Sequence, residues 1–207
     1  MGLIHIDLFT TLDGVAQAPG GPDEDADDGF AFGGWQAPLW DEVVDEQVDA
    51  GMADLDALLL GRRTYDIFAA YWPHADGKIA QLFNRLPKYV ASHQTPTLEW
   101  AESTLLGPDV VAAVCELRDR HANIHVIGSL DFVQTLFAER LFDRLTLWVY
   151  PILLGGGKKV FADGVVPTNL RLIEPVVASP RGAVLQRYAL ADGRPGVGDM
   201  SAGDRES

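Results

Sequence analysis

The chain has 207 residues, 47% hydrophobic and 22% charged, enough for one soluble globular domain with a sizeable core. A formal net charge of −14 argues against nucleic acid and anionic membrane surfaces as partners, since both call for clustered Lys and Arg. Cys115 is the only cysteine, which excludes an intrachain disulfide and a cysteine-cluster metal site, and its apolar neighbours place it on a buried helix face.

Leu3 to Phe9 alternates or runs apolar and reads as a first strand, broken at Asp13-Gly14. Residues 17 to 34 form a long loop, a lid or a disordered segment, whose acid run Asp23-Glu24-Asp25-Ala26-Asp27-Asp28 reads as a solvated turn. Pro38 sits near the start of a helix with Val43, Val44, Val48 and Met52 as its apolar face. Leu55 to Leu60 is a buried strand, Arg62 to Ala70 and Ala80 to Leu86 are helical, and Lys88 to Ala91 is a strand ending at Ser92-His93. Pro108 to His121 and Leu130 to Ala138 read as helices, and Ile124 to Ile127 and Leu145 to Tyr150 as strands. Leu170 to Ala178 and Ala183 to Leu190 flank Ser179-Pro180-Arg181-Gly182 and read as a closing hairpin.

The alternation predicts an α/β fold whose sheet is mostly parallel, with antiparallel strands at the C-terminal end. Residues 1 to 191 form the domain, and the polar residues 192 to 207 read as a disordered tail. The chain starts without a basic-plus-apolar leader, and no apolar run approaches about 18 residues. A cytoplasmic protein is the expectation.

Three glycine-bearing junctions follow apolar strands: Gly61-Arg62-Arg63-Thr64, Gly128-Ser129-Leu130, and Gly155-Gly156-Gly157-Lys158-Lys159. A strand that turns through Gly into a helix aims free backbone N–H groups at an anion. Arg62 and Arg63 add charge suited to phosphate, and Thr64 adds a hydroxyl; the plainer reading is a strand end with two solvated arginines. Gly155 and Gly156 either wrap a ligand or make a bulged turn. Ser92-His93 either meets a ribose 2′-phosphate or makes a polar turn. His5, His74, His121 and His125 lack metal-ligand spacing and read as structural or exposed; no metal site is expected. Together the junctions suggest a dinucleotide along the sheet edge, without the full glycine fingerprint of the doubly wound fold.

Thr11-Leu12-Asp13-Gly14, Gly61-Arg62-Arg63-Thr64, Leu141-Phe142-Asp143 and the stretch Pro151 to Phe161 occur in an order and spacing that resemble one family. It is the dihydrofolate reductase-like superfamily, specifically the reductase domain of the bifunctional riboflavin-pathway deaminase-reductase. Gly128-Ser129 where that domain has Gly-Gly, and Gly33-Gly34-Trp35, are similar to its small stand-alone members. The resemblance implies a three-layer fold, a homodimer, and hydride transfer from NADPH to a small pterin- or pyrimidine-type heterocycle. It implies Asp13, Gly14, Val15 and Ala16 beside the nicotinamide, Gly61, Arg62, Arg63 and Thr64 on phosphates, Ser92 and His93 near the adenosine ribose, and Gly128, Ser129 and Leu130 at the pyrophosphate. By the same resemblance Asp41 is the candidate proton donor, with Asp13 as the other acid; helix capping and a turn are their structural alternatives. Trp35, Trp40, Tyr65 and Trp72 either stack a flat ring or pack the core. A nucleotide-binding sensor or carrier without turnover is the competing function.

Overall fold

The computed structural model describes residues 1–199. Nine strands form one sheet: β1 (Leu3–Thr11), β2 (Ala57–Gly61), β3 (Lys88–Ala91), β4 (Ser103–Leu105), β5 (Asn123–Val126), β6 (Arg144–Tyr150), β7 (Leu170–Leu172), β8 (Val177–Ala178) and β9 (Val184–Leu190). Their order is β4-β3-β2-β5-β1-β6-β9-β7, with β8 also on β9. Every pair from β4 through β6 is parallel, and the pairs made by β9 are antiparallel.

Five helices connect them: α1 (Glu42–Gly51), α2 (Arg62–Tyr71), α3 (Lys78–Arg85), α4 (Val110–Arg120) and α5 (Leu130–Ala138). Strand alternation distributes the apolar side chains to two faces. Ile4, Ile6, Leu8, Ala57 and Leu59 join Val114 and Leu117 of α4 and Val133, Leu136 and Phe137 of α5. Leu58 and Leu60 turn to the opposite face, with Tyr65 of α2 and Phe83 of α3. Helices therefore cover both faces of the sheet, and the expected α/β architecture is the observed one.

Four expectations are corrected. Pro38 lies in a 3-10 turn, Ala37–Leu39, and the α-helix begins later, at Glu42. Cys115 is exposed, because α4 turns Val114 and Leu117 inward and Cys115 falls outside that stripe. The stretch from Leu170 to Ala178 divides into β7 and β8 around Pro175, which has no N–H to offer a ladder. Strand β4 went unread, being three residues without an apolar run. Residues 192–199 carry neither helix nor strand, and the rest of the expected tail lies outside the described residues. Among the described residues no helix is long and apolar enough to cross a membrane.

Candidate functional site

The carboxyl ends of the central strands open onto a cavity of about 710 Å3, walled by α1, α2, the start of α5 and the loop after β1. Two junctions meet at its edge. The Gly61 N–H donates to the Gly128 carbonyl at 2.9 Å. A Cβ on Gly61 would lie 2.8 Å from the Ser129 backbone nitrogen, so only glycine allows this approach. Gly128 has φ +143°, and its Cβ would fall 2.5 Å from Thr64 Oγ1. The Gly128-Ser129 peptide is cis. The two glycines thus let two strand ends meet.

The helix starts differ in kind. Helices α1 and α4 are capped by their own aspartates: Asp41 accepts from Val44 N–H at 3.1 Å and Asp109 from Ala112 N–H at 3.0 Å. Helices α2 and α5 begin at Gly61 and Ser129 without a side-chain cap. These two starts meet at the Gly61–Gly128 contact, where Thr64 and Ser129 both line the cavity.

The acidic loop folds onto this end instead of remaining a solvated turn. Asp25 binds Arg63 at 2.7 Å and Lys158 at 2.6 Å, and Asp27 binds the same two cations at 2.5 and 2.9 Å. Gln17 ties the loop down by donating to the Asp25 and Asp27 carbonyls. Glu24 accepts from the Gly20 and Gly21 N–H groups. Arg63 and Lys158 line the cavity. Arg62 turns away, pairing with Asp66 at 2.7 Å on the helix surface.

Of the residues named from sequence as site candidates, Ala16, Trp40, Arg63, Thr64, Trp72, Gly128, Ser129, Leu130 and Lys158 line the cavity. The others lie outside its wall. Gly14 and Val15 bond to the chain around Val160 and Thr11, and Val15 is fully buried. Ser92 accepts from Gln94 N–H in a turn, and His93 is exposed beside it. Gly155 and Gly156 are exposed. Trp35 is buried, donating to the Gln17 carbonyl at 2.8 Å, and the buried Tyr65 hydroxyl accepts from Trp100 N–H at 3.1 Å. Both complete the core because the polar tip of each ring finds a backbone partner there.

The two acids considered as proton donors do other work. Asp13 accepts from Thr11 Oγ1 at 2.5 Å and Gly155 N–H at 2.7 Å, and these bonds hold its carboxyl below the usual range. It fastens the loop after β6 to the end of β1. At Asp41, desolvation pushes the pKa upward, but the N–H groups of Val44 and Arg181 outweigh it, and the net direction is down. Each carboxyl thus makes the structural contacts named as its alternative, a helix cap for Asp41 and a turn for Asp13.

One acid that lines the cavity, Asp7 on β1, was missed by sequence reasoning. Its Oδ2 lies 2.7 Å from His125 Nδ1. Burial pushes the Asp7 carboxyl upward, yet His125 overrides this and holds it ionised. The His5 ring stacks on His125, centroids 4.5 Å apart and planes within 6°. Burial, and then His125, pushes His5 down to about 4. Period-two alternation sets His5 and Asp7 on one face; their meeting with His125 needs the β1–β5 register, His5 opposite His125, which sequence alone does not supply. A second cavity of about 430 Å3, between α1 and the sheet, shares Asp7, Phe9, Val48, Met52 and Ile127 with the first.

Known proteins share this fold. A putative riboflavin biosynthesis protein from Shewanella sp. PV-4 superposes with a TM-score of 0.72 at 19% identity, over 92% of this chain and 99% of that one. Dihydrofolate reductase from Enterococcus faecalis, complexed with NADP(H), gives 0.59 at 12% identity, over 92% and 98%. The uncharacterised protein YyaP of Bacillus subtilis is 23% identical over 180 residues, which is 82% of this chain and 86% of that protein. The model of the RibD C-terminal domain matches residues 3–182, so the chain belongs to the RibD C-terminal domain family.

Proposed function

We propose that this protein is an NADPH-dependent reductase that transfers hydride to a small pterin- or pyrimidine-type ring. The observation that carries the reading is the convergence of two uncapped helix starts at the Gly61–Gly128 contact. Membership of the RibD C-terminal domain family and the fold shared with an NADP(H)-complexed dihydrofolate reductase support it.

The residues at this end fit a dinucleotide. The N–H groups at the starts of α2 and α5 and the Thr64 and Ser129 hydroxyls would hold its pyrophosphate. Arg63 and Lys158, paired here with Asp25 and Asp27, would supply the positive charge for its phosphates. When bound, the dinucleotide supplies the hydride. Phe9 and Trp40, with ring centroids 6.0 Å apart, bound the space for the acceptor ring. Asp7, whose Oδ2 lies 2.7 Å from His125 Nδ1, lines that space and would pass the proton to the reduced ring. The working form is a homodimer in the cytoplasm, and light scattering of the purified protein reads the first point.

The experiment is NADPH oxidation, followed by nicotinamide absorbance, against a panel of pterins and pyrimidines, for wild type and Thr64→Ala. Oxidation with one ring class, weakened in the variant, is the expected result. Tight NADPH binding without oxidation across the panel points instead to a binding module without turnover.

A further inference from the structure

Among the residues lining the larger cavity, Arg63 and Lys158 are the only Arg and Lys, and the chain's own carboxylates occupy both. Asp25 and Asp27 each bridge the two cations. The Arg63 fork gives Nη1 to Asp25 and Nη2 to Asp27, and Lys158 Nζ donates to both, at 2.6 and 2.9 Å. Anionic oxygens at 2.5 to 2.9 Å from a guanidinium fork and an ammonium are what a phosphate group would present. Two cations facing two carboxylates carry no net charge, and the other Asp and Glu side chains on the wall only add negative charge. A phosphate beside the starts of α2 and α5 would therefore meet no net positive charge from side chains while these pairs last.

The pairs are built into the fold at one side and loosely held at the other. The Asp25 side chain is only 8% exposed, and partly buried pairs are screened less than exposed ones. Gln17 donates to the Asp25 and Asp27 carbonyls and accepts from Lys158 N–H at 2.9 Å. The backbone hydrogen bonds of residues 20–29, by contrast, run within that segment or to Phe30. Its polar ties to the rest of the described residues are thus Gln17 and the two cations. A segment with few such ties opens at low cost once they are taken over.

We propose that Asp25 and Asp27 are an internal stand-in for phosphate, so that nucleotide binding at this end is an exchange. The phosphate of the ligand takes Arg63 and Lys158, and the segment 20–29 is released. This regulates the site of the proposed reductase, and rests on that reading only in naming a nucleotide as the natural ligand. The exchange lowers apparent affinity by the fraction of molecules in which the cations are free; one tenth free means about tenfold.

Calorimetric titration of NADP+ and of inorganic pyrophosphate into the full chain tests it. The forms compared are wild type, Asp25→Asn combined with Asp27→Asn, and Asp28→Asn. Asp28 is exposed in the same acid run and binds neither cation. The double variant should bind both ligands about tenfold more tightly than wild type, and Asp28→Asn should stay within about twofold of it. Should the double variant fail to melt cooperatively, Asp27→Asn alone, on the more exposed carboxylate, should tighten both about threefold. Weaker or unchanged binding of both ligands in a folded variant overturns the proposal, since the carboxylates then position the cations. Equal tightening by Asp28→Asn overturns it too. Pyrophosphate binding tightened by the variants, with NADP+ bound by no form, defeats the reductase reading and leaves the exchange standing. NADP+ bound by wild type and no more tightly by the variants does the reverse. No binding of either ligand by any folded form defeats both.

Discussion

The two ends of the cavity solve opposite electrostatic problems. Where α2 and α5 begin, capping side chains are lacking, glycines bring two strand ends into contact, and Arg63 and Lys158 wait behind the carboxylates of Asp25 and Asp27. Where α1 begins, Asp41 caps its own helix, and the wall beyond carries Asp45, Asp49 and the buried Asp7. One end carries the positive dipole ends of two uncapped helices; the other carries carboxylates. In a protein of net charge −14, a site for an anion would have to rest on local arrangement, not on overall charge.

The largest effect should come from the α1 end on acidification. His5 titrates near 6.5 when unfolded and about 4 when folded, so the unfolded chain takes up the proton first as pH falls. Stability from this group is therefore full above about pH 6.5 and declines towards pH 4, by up to about 3 kcal/mol. Urea unfolding at several pH values should show this slope, and His5→Asn should flatten it.

At the other end, Gly61→Ala forces a methyl group against the Ser129 backbone nitrogen and the Phe132 Cβ. It should cost about 1–3 kcal/mol of stability and remove nucleotide binding, as read by thermal unfolding and NADPH titration. Arg63→Ala should weaken NADPH binding about tenfold, consistent with loss of one charge-assisted hydrogen bond of about 1.5–3 kcal/mol. A variant that binds NADPH as wild type does would show that the loop carboxylates keep this arginine permanently. Asp41→Ala should be the mildest: a small drop in melting temperature through the lost cap, with NADPH affinity unchanged. A selective loss of hydride transfer in that variant would restore Asp41 to the chemistry.

The contrast also explains what the sequence made legible. Apolar runs followed by glycine identified β2, β5 and the helices after them, because burial and backbone freedom are both local properties of the chain. Thr64, Ser129 and Leu130 followed from the same signal. Asp7 and His125 could not be found in that way. They lie 118 residues apart and become partners only through a parallel β1–β5 pairing. The acid run misled for a related reason: Asp25 looks solvated until Gln17, Arg63 and Lys158, distant in sequence, close around it. Trp35 and Tyr65 carried a ring-binding signal that the core explains fully once Gln17 and Trp100 are seen to bond them.

The most direct test of the account is calorimetric titration of the full chain with NADPH and with NADH, beside Thr64→Ala. The account predicts saturable binding of NADPH, tighter than that of NADH, and weaker in the variant that loses the hydroxyl facing Gly128. Absence of heat with both nucleotides, from protein that melts cooperatively, would contradict it.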